Sequence, residues 1–252
     1  MSKQSGAALA CLALALLPLP AAAAETVADY SQCVALVQKN PALAEDSARA
    51  WQDVGGGAAA VHCSALALAA LQRYTEAARK LDVLARDKTI GNSLDRAELF
   101  DQAGDDWMFA GLANNAEQSF SAALDQSPNN VDFLADRAGA RALRKDWAGA
   151  DADLSAALLR DQNRADLMVL RASARWALNL KADAATDILR ALELYPNYPA
   201  ALVERGRMKY EAGDKNGARA DWKKAAASGT GETAAAARRY LAEMEAETKP
   251  GK

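Results

Sequence analysis

The sequence is poor in the residues on which most enzymes and metal sites depend. Its 252 residues include one histidine and three cysteines, and only 6% are aromatic. With His62 alone, a His-dependent triad has one possible base, and no Gly-x-Ser-x-Gly sequence marks a nucleophile. A zinc site would need His62, Cys33, Cys63 and a carboxylate to converge. These shortages predict a protein that is not an enzyme and that holds no metal or cofactor.

Long apolar runs and an excess of positive charge are also missing after residue 24. The first residues contain Lys3, an apolar run over 7–17 and three alanines at 22–24, which is the pattern of a cleaved signal peptide. A membrane anchor fits less well because the run is short for a bilayer, and a lipoprotein signal at Cys11 has its leucine one place off the usual motif. We therefore expect residues 1–24 to be a signal peptide and the product to be periplasmic or secreted.

The charge balance of the remaining chain excludes one class of partner. Without Lys3 the chain has 29 basic and 33 acidic residues, a net charge of −4. This balance argues against non-specific binding to nucleic acid or to anionic membranes. No later segment has the length and apolarity of a membrane span.

Two cysteines, Cys33 and Cys63, remain once the signal is removed. An even number of cysteines in an exported protein favours a disulfide, because the compartment is oxidising. The bond would close a loop of about 30 residues and contribute roughly 3–4 kcal/mol. A thiol- or metal-dependent protein using Cys33, Cys63 and His62 stays open as an alternative.

What the sequence does contain is a 34-residue period in an alanine-rich chain without the alternation of β-strands. Several columns of small or bulky residues keep this step in one register. One small column and one bulky column are Gly104, Ala138, Ala172, Gly206 and Phe120, Leu154, Ile188, Trp222. Self-similarity at a fixed spacing indicates stacked repeats, in which one helix crossing needs a small residue and its neighbours fill the space beside it.

These columns resemble the tetratricopeptide repeat over roughly residues 58–228. The resemblance implies an all-α fold, a right-handed α-solenoid of about six helix-turn-helix hairpins closed by a C-terminal capping helix. The hairpins are predicted at 25–57, which is a degenerate unit, and at 58–96, 97–130, 131–164, 165–198 and 199–229. Residues 230–252 are predicted as the capping helix and a disordered tail from 248, and a five-residue insertion at 87–95 as a lengthened loop.

Two further columns place arginine and aspartate 16 residues apart in three of the units. The pairs are Arg137 with Asp153, Arg171 with Asp187, and Arg205 with Asp221. The unit that begins at Ala97 lacks both members. Joint presence and joint absence predict an ion pair between the two helices of each unit, because partly buried arginine usually has a bidentate carboxylate partner.

The resemblance also implies a concave groove, lined by the first helix of each unit, that binds an extended peptide or a partner helix. The residues expected to line it are Glu98, Asp101, Asp105, Met108, Asp132, Ala135, Asp166, Val169, Ser173, Trp176, Val203, Arg207 and Tyr210. The family's carboxylate clamp of lysine, asparagine and arginine is missing at these places. Acid in the middle units and aromatics towards the C-terminus predict a partner with a basic stretch next to an apolar or aromatic anchor.

The sequence thus favours an exported, non-enzymatic scaffold or adaptor that binds a protein or peptide partner. A purely structural subunit of an envelope complex is the alternative within the same class.

Overall fold

The computed structural model describes Val27 and residues 29–247, and of Leu94 only the backbone. The predicted signal peptide and the tail from 248 lie outside the described residues. Thirteen helices and no strands are found in the described part of the chain. The helices are α1 Tyr30–Lys39, α2 Pro41–Asp53, α3 Gly57–Ala70, α4 Tyr74–Arg86, α5 Ser93–Phe109, α6 Ala113–Gln126, α7 Val131–Leu143, α8 Trp147–Arg160, α9 Ala165–Ala177, α10 Lys181–Leu194, α11 Pro199–Glu211, α12 Lys215–Ser228 and α13 Gly231–Glu247.

The helices pair into six hairpins, from α1–α2 to α11–α12, and α13 packs against the last of them. The second helix of each hairpin also packs against the first helix of the next hairpin, and the main apolar core runs from α3 to α13. First helices such as α5 and α7, or α9 and α11, approach each other more closely than successive second helices do. The first helices therefore lie on the inner, concave side of the right-handed α-solenoid.

The five turns that connect α3 to α12 within hairpins share one backbone design. Each has a residue of positive φ at the same repeat position: Gln72, Gly111, Lys145, Asn179 and Gly213, at 60°, 74°, 63°, 62° and 89°. At each turn the following amide bonds back to the helix, as Asp146 N does to Arg141 O at 2.9 Å. This is a Schellman motif, which satisfies the last carbonyls of the first helix and reverses the chain.

The small column meets the bulky column inside each hairpin. A Cβ added to Gly104 would lie 2.3 Å from the ring of Phe120, and one added to Gly206 would lie 2.4 Å from Trp222. Glycine thus occurs where the partner is aromatic, and alanine where the partner is the aliphatic Leu154. The repeats keep their crossing distance by matching side-chain volumes.

The insertion at 87–95 is only partly a loop. Helix α5 begins at Ser93, so residues 93–96 add a turn of helix before Ala97 and only 87–92 connect α4 to α5. At the C-terminus, α13 buries Ala234, Ala237 and Met244, and Tyr240 stacks on Trp222 with 5.0 Å between centroids. No described helix combines the length and the apolar composition that a bilayer crossing requires.

The predicted arginine–aspartate pairs are confirmed. Arg171 donates to both carboxylate oxygens of Asp187, at 3.0 and 2.6 Å. The same bidentate geometry joins Arg137 to Asp153 and Arg205 to Asp221. A second cation one turn later, Arg141, Arg175 or Lys209, also contacts each of these carboxylates within 2.9 Å. Each buried aspartate is therefore held by two cations, which offsets the cost of removing it from water.

Candidate functional site

A cleft of about 410 Å³ opens on the concave side, with α7 as its floor and α5 and α9 as its walls. Five of the predicted groove residues line it together. They are Asp105, Met108, Asp132, Ala135 and Asp166. The lining also includes Phe109, Asp136, Gly139, Arg164 and Leu170. The middle of the predicted groove is thus an open, mixed acidic and apolar site.

The cleft exists because α7 presents its smallest side chains to the groove. The repeat position of Gly139 is held by Asp105 in α5, Ser173 in α9 and Arg207 in α11. A Cβ added to Gly139 would have Met108 Cε as its nearest neighbour, at an ordinary contact distance of 3.9 Å, so it would fit without a clash. The floor is therefore bare backbone and methyl surface.

Carboxylates of α5 and α7 make the cleft strongly acidic. Burial, together with the nearby carboxylates of Asp136, Asp105, Asp132 and Glu98, raises the pKa of Asp101 to about 7. Like-charged groups that share a poorly hydrated surface disfavour each other's ionised form. The side chain of Asp101 is half-buried, and its Oδ1 is shielded from solvent without a hydrogen-bond partner in the described chain.

The pKa values of two neighbouring carboxylates, Asp136 and Asp105, are also raised. Burial raises the pKa of Asp136 to about 6, with contributions from Asp105 and Asp132 that exceed the opposing effect of Arg164. Although Asp105 keeps an exposed edge, the cleft walls withdraw it from bulk water and raise its pKa as well. Glu98 is exposed beside this group on α5.

One cation, Arg164, lies at the rim of the cleft and is already engaged. Its guanidinium contacts Asp132 at 2.9 Å and Asp166 at 2.8 Å. The hydrogen bond from Arg164 holds the pKa of Asp166 below its ordinary value. Asp132 and Asp166 thus share one cation, whereas Asp105 and Asp136 form no ion pair within the described residues.

The aromatic end of the predicted groove is occupied by the chain's own side chains. Trp176 donates from Nε1 to Glu211 at 3.2 Å, and its ring lies 4.8 Å from Lys181 Nζ and 5.0 Å from Arg207 Cζ. Arg207 itself is paired with Glu204 and Glu211. These internal contacts would have to be broken before a ligand could stack on the ring.

Other predicted groove residues are turned to structural uses. The Tyr210 hydroxyl donates to Glu247 of α13, and its ring contacts Trp222. Val169 and Val203 are buried in the main core. The Ser173 hydroxyl donates to the carbonyl of Val169 in its own helix at 3.2 Å.

The N-terminal end of the concave side is built around the disulfide. Cys33 and Cys63 are bonded, with their Cα atoms 6.1 Å apart, as the sequence predicts. His62 is hydrogen-bonded at 2.9 Å to the Tyr30 hydroxyl and at 2.9 Å to Gln102 Oε1, which links α1, α3 and α5. No group of three or more histidine, cysteine, aspartate or glutamate side chains in the described chain is placed to hold a metal ion.

Sequence reasoning missed three parts of the site. Asp136 lies one residue beyond the groove column of Ala135, so the column rule omitted it. Phe109 was not singled out, although 70% of its surface is exposed. Gly139 could have been found by its size, since it is the smallest residue in its repeat column.

No protein-family model matches the chain, and no curated protein matches it. Solved structures do. MamA from Desulfovibrio magneticus RS-1, residues 41 to the end, is 16% identical with a TM-score of 0.54, and the match covers 79% of this chain and 94% of that one. A double mutant of MamA RS-1 is 19% identical with a TM-score of 0.58, covering 67% and 92%. YrrB, described as a TPR protein with an unusual peptide-binding site, is 16% identical with a TM-score of 0.54, covering 70% and 89%. Together with the 34-residue columns, these likenesses identify the fold of this chain as that of the tetratricopeptide-repeat proteins.

Proposed function

We propose that this chain is an exported, non-enzymatic adaptor that binds a protein or peptide partner in its concave groove, in a bacterial periplasm or outside the cell. The export part of the proposal is supported by the sequence pattern of residues 1–24 and by the even pair of cysteines that follows it. A bonded Cys33–Cys63 pair is compatible with an oxidising compartment.

The binding part is supported above all by the cleft over α7. Interaction sites are concave and combine apolar surface with a few polar groups that fix orientation. This cleft has an apolar floor and two acidic groups, Asp105 and Asp136, without an ion pair in the described chain. Elsewhere along the groove the charged groups around Trp176 are already paired.

The partner that fits this surface has a basic stretch next to an apolar or aromatic anchor. The basic stretch complements the carboxylates of α5 and α7, and electrostatic complementarity of this kind speeds association and selects the register. The partner's anchor would contact exposed apolar surface of this chain beside the carboxylates, since Phe109 is 70% exposed and Leu170 is 49% exposed. We therefore place the anchor near the cleft instead of at Trp176 and Tyr210.

Two alternatives have less support. A thiol- or metal-dependent function would require Cys33, Cys63 and His62 to be available, but the cysteines are bonded to each other and both ring nitrogens of His62 have hydrogen-bond partners. A purely structural subunit would leave the acidic cleft without a use. The likeness of this chain to YrrB, which is described as a TPR protein with an unusual peptide-binding site, favours the adaptor.

Binding can be tested with a partner captured from envelope extracts, identified, and then measured as a purified component. Asp136→Lys should weaken its binding, and Asp125→Lys is the matched control because Asp125 is exposed on α6, outside the cleft. We expect a loss of about 2 kcal/mol or more for the first variant and little change for the second. Equal binding by both variants, with the helical content intact, would place the interface elsewhere or leave the chain a structural subunit.

Export can be tested by N-terminal sequencing after expression with the full leader in a bacterium. We expect the protein in the periplasmic fraction or the medium, beginning at Glu25. A cytosolic product that retains Met1 would contradict this part of the proposal without affecting the binding part.

A further inference from the structure

The cleft over α7 has the shape and size to accommodate one long side chain of a partner. Its floor is Ala135 and Gly139, where no side chain reaches into the groove, and Met108 lies 3.9 Å from the position that a Gly139 Cβ would take. Leu170 forms part of the opposite wall. A volume of about 410 Å³ is large enough for one side chain of a partner to enter together with its backbone.

The lining of the cleft combines apolar surface with carboxylates. Ala135, Gly139, Met108 and Leu170 give the apolar part, whereas Asp105 and Asp136 are carboxylates without an ion pair in the described chain. Asp101 lies near Asp136 outside this lining, and its Oδ1 is shielded from solvent and has no hydrogen-bond partner in the described chain. Arg164 is paired with Asp132 and Asp166 and forms no ion pair with Asp105 or Asp136.

Apolar surface beside unpaired carboxylates matches one class of side chain. Lysine and arginine bury an aliphatic stem along apolar surface and keep their charge at its end, where a carboxylate can meet it. A purely apolar side chain would leave the carboxylates of the cleft desolvated and unpaired, which costs free energy. An acidic side chain would add another like charge to the cluster.

We propose that the cleft formed by Ala135, Gly139, Met108 and Leu170 is a specificity pocket for a single lysine or arginine side chain of the partner, with Asp105 and Asp136 as its counter-charges. The inference rests on the proposed function and adds to it the position and the chemistry of the selected residue. Gly139 determines the depth of the pocket, so it is a specificity residue although it has no side chain.

The test selects ligands from a phage-displayed library of random nonapeptides on the full mature protein. We expect the selected peptides to share one lysine or arginine, and replacement of that residue by glutamine to raise the Kd at least about tenfold. Synthetic versions with arginine, lysine, glutamine and norleucine at this position separate the contribution of charge from that of the stem, by fluorescence anisotropy.

Pocket depth is tested with Gly139→Leu, which fills the cleft without changing any charge, and with Gly139→Ala as its matched control. We expect Gly139→Leu to weaken the selected peptide at least about tenfold and Gly139→Ala to bind within about threefold of wild type. Should Gly139→Leu fail to fold, Asp136→Asn against Asp125→Asn tests the counter-charge of the same pocket, with an expected loss of about fivefold for the first alone.

The outcomes separate the inference from the function on which it rests. Peptides that bind the groove without a shared basic residue, or that bind Gly139→Leu as tightly as wild type, overturn the pocket and leave the adaptor function standing. A wild-type protein that selects no peptide at all counts against both.

Discussion

At the scale of single residues, the fold depends on volume matching between the two helices of a hairpin. Gly104 and Phe120 are 16 residues apart, as are Ala138 and Leu154. Phe120 is 1% exposed, so its ring cannot move away from a larger neighbour at 104. The exchange of glycine for alanine along the column therefore follows the size of the facing side chain.

Gly104→Ala should destabilise the protein, because the new Cβ would lie 2.3 Å from the Phe120 ring. Overpacking of this kind costs about 1–3 kcal/mol, against a gain of about 0.5–1 kcal/mol from the helix propensity of alanine. In a Phe120→Leu background the same change should cost little or should stabilise. Urea unfolding of the four variants measures the coupling, and Gly139→Ala, which has room, should be neutral or stabilising. Equal effects of Gly104→Ala in both backgrounds would show that the ring is not the obstacle.

The hairpin turns offer a second single-residue test. Lys145 has a φ of 63°, where glycine stands at the equivalent Gly111. A residue with a Cβ has a backbone strain of roughly 1–2 kcal/mol in this conformation, and glycine does not. Glycine, however, gives the unfolded chain more conformational entropy, which offsets part of that advantage. Lys145→Gly should therefore raise the free energy of unfolding by about 0.5–1 kcal/mol.

Gly111→Ala should do the reverse and lower the free energy of unfolding by about 1 kcal/mol. Chemical denaturation of both variants measures the effect. A loss of stability in Lys145→Gly would mean that the lysine side chain contributes more than its backbone strain costs.

At the scale of helices, the acidic groups of α5 and α7 oppose the close packing of these two elements. The pKa values of Asp101 and Asp106 are raised to about 7 and that of Asp136 to about 6, chiefly by burial. The folded protein therefore binds protons between pH 4 and 7 that the unfolded chain, with pKa values near 3.8, has already released. Stability should fall as the pH rises through this window.

We expect the urea midpoint to be higher at pH 5 than at pH 8. Groups with lowered pKa values, such as Asp166 and Asp221, act in the opposite direction but below pH 4, so they do not cancel the effect. Replacing Asp101, Asp106 and Asp136 by asparagine should reduce the difference between the two midpoints. A triple variant with the wild-type pH dependence would show that these groups are better solvated than the structure indicates.

The helices and their pairing could be predicted from sequence because stacked repeats must reuse one packing solution every 34 residues. The arginine–aspartate pairs could be predicted for the same reason. The cleft could not be predicted, since it arises where α7 departs from the other repeats. Gly139 and Ala135 are recognised as unusually small only when they are compared with the residues at the same repeat positions in the other units, and Asp136 lies outside the groove column. The internal use of Trp176 was also hidden, because its partner Glu211 is 35 residues away, on the next first helix.

A loop was predicted for the whole insertion at 87–95, but its last residues form the first turn of α5. Gly91-Asn92-Ser93 has the composition of a loop, but the Asn92 side chain accepts from the Asp95 amide at 3.1 Å and caps the helix. A helix start and a loop share these residue types, so composition alone does not separate them.

At the scale of the whole molecule, the α-solenoid is a row of units with local cores. The N-terminal hairpin α1–α2 packs with part of α3 in an apolar cluster of its own, which contains Cys33, Leu36, Val37 and Cys63. The main cluster runs from α3 to α13 without these residues. In such an array each unit depends mainly on its neighbours, so stability can differ along the chain.

The disulfide should therefore stabilise one end of the molecule and not the whole. Helix α1 has 10 residues and buries only Cys33, Leu36 and Val37, which is little apolar surface to hold a helix in place. The bond spans 30 residues, and removing one of this loop size costs about 2–5 kcal/mol. Replacing both cysteines by serine should let α1–α2 open while α5–α12 keep their stability.

Hydrogen exchange resolved by peptide measures this directly. Amides of α1 and α2 should exchange at least about tenfold faster in the double variant, and those of α11 and α12 should be unchanged, because no packing contact of the last hairpin is altered. Wild-type protein treated with reductant is the matched control and should reproduce the pattern without a change of sequence. Faster exchange along the entire chain would mean that the array unfolds as one unit, and no change in α1–α2 would mean that the Tyr30–His62–Gln102 hydrogen bonds are enough to hold the hairpin in place.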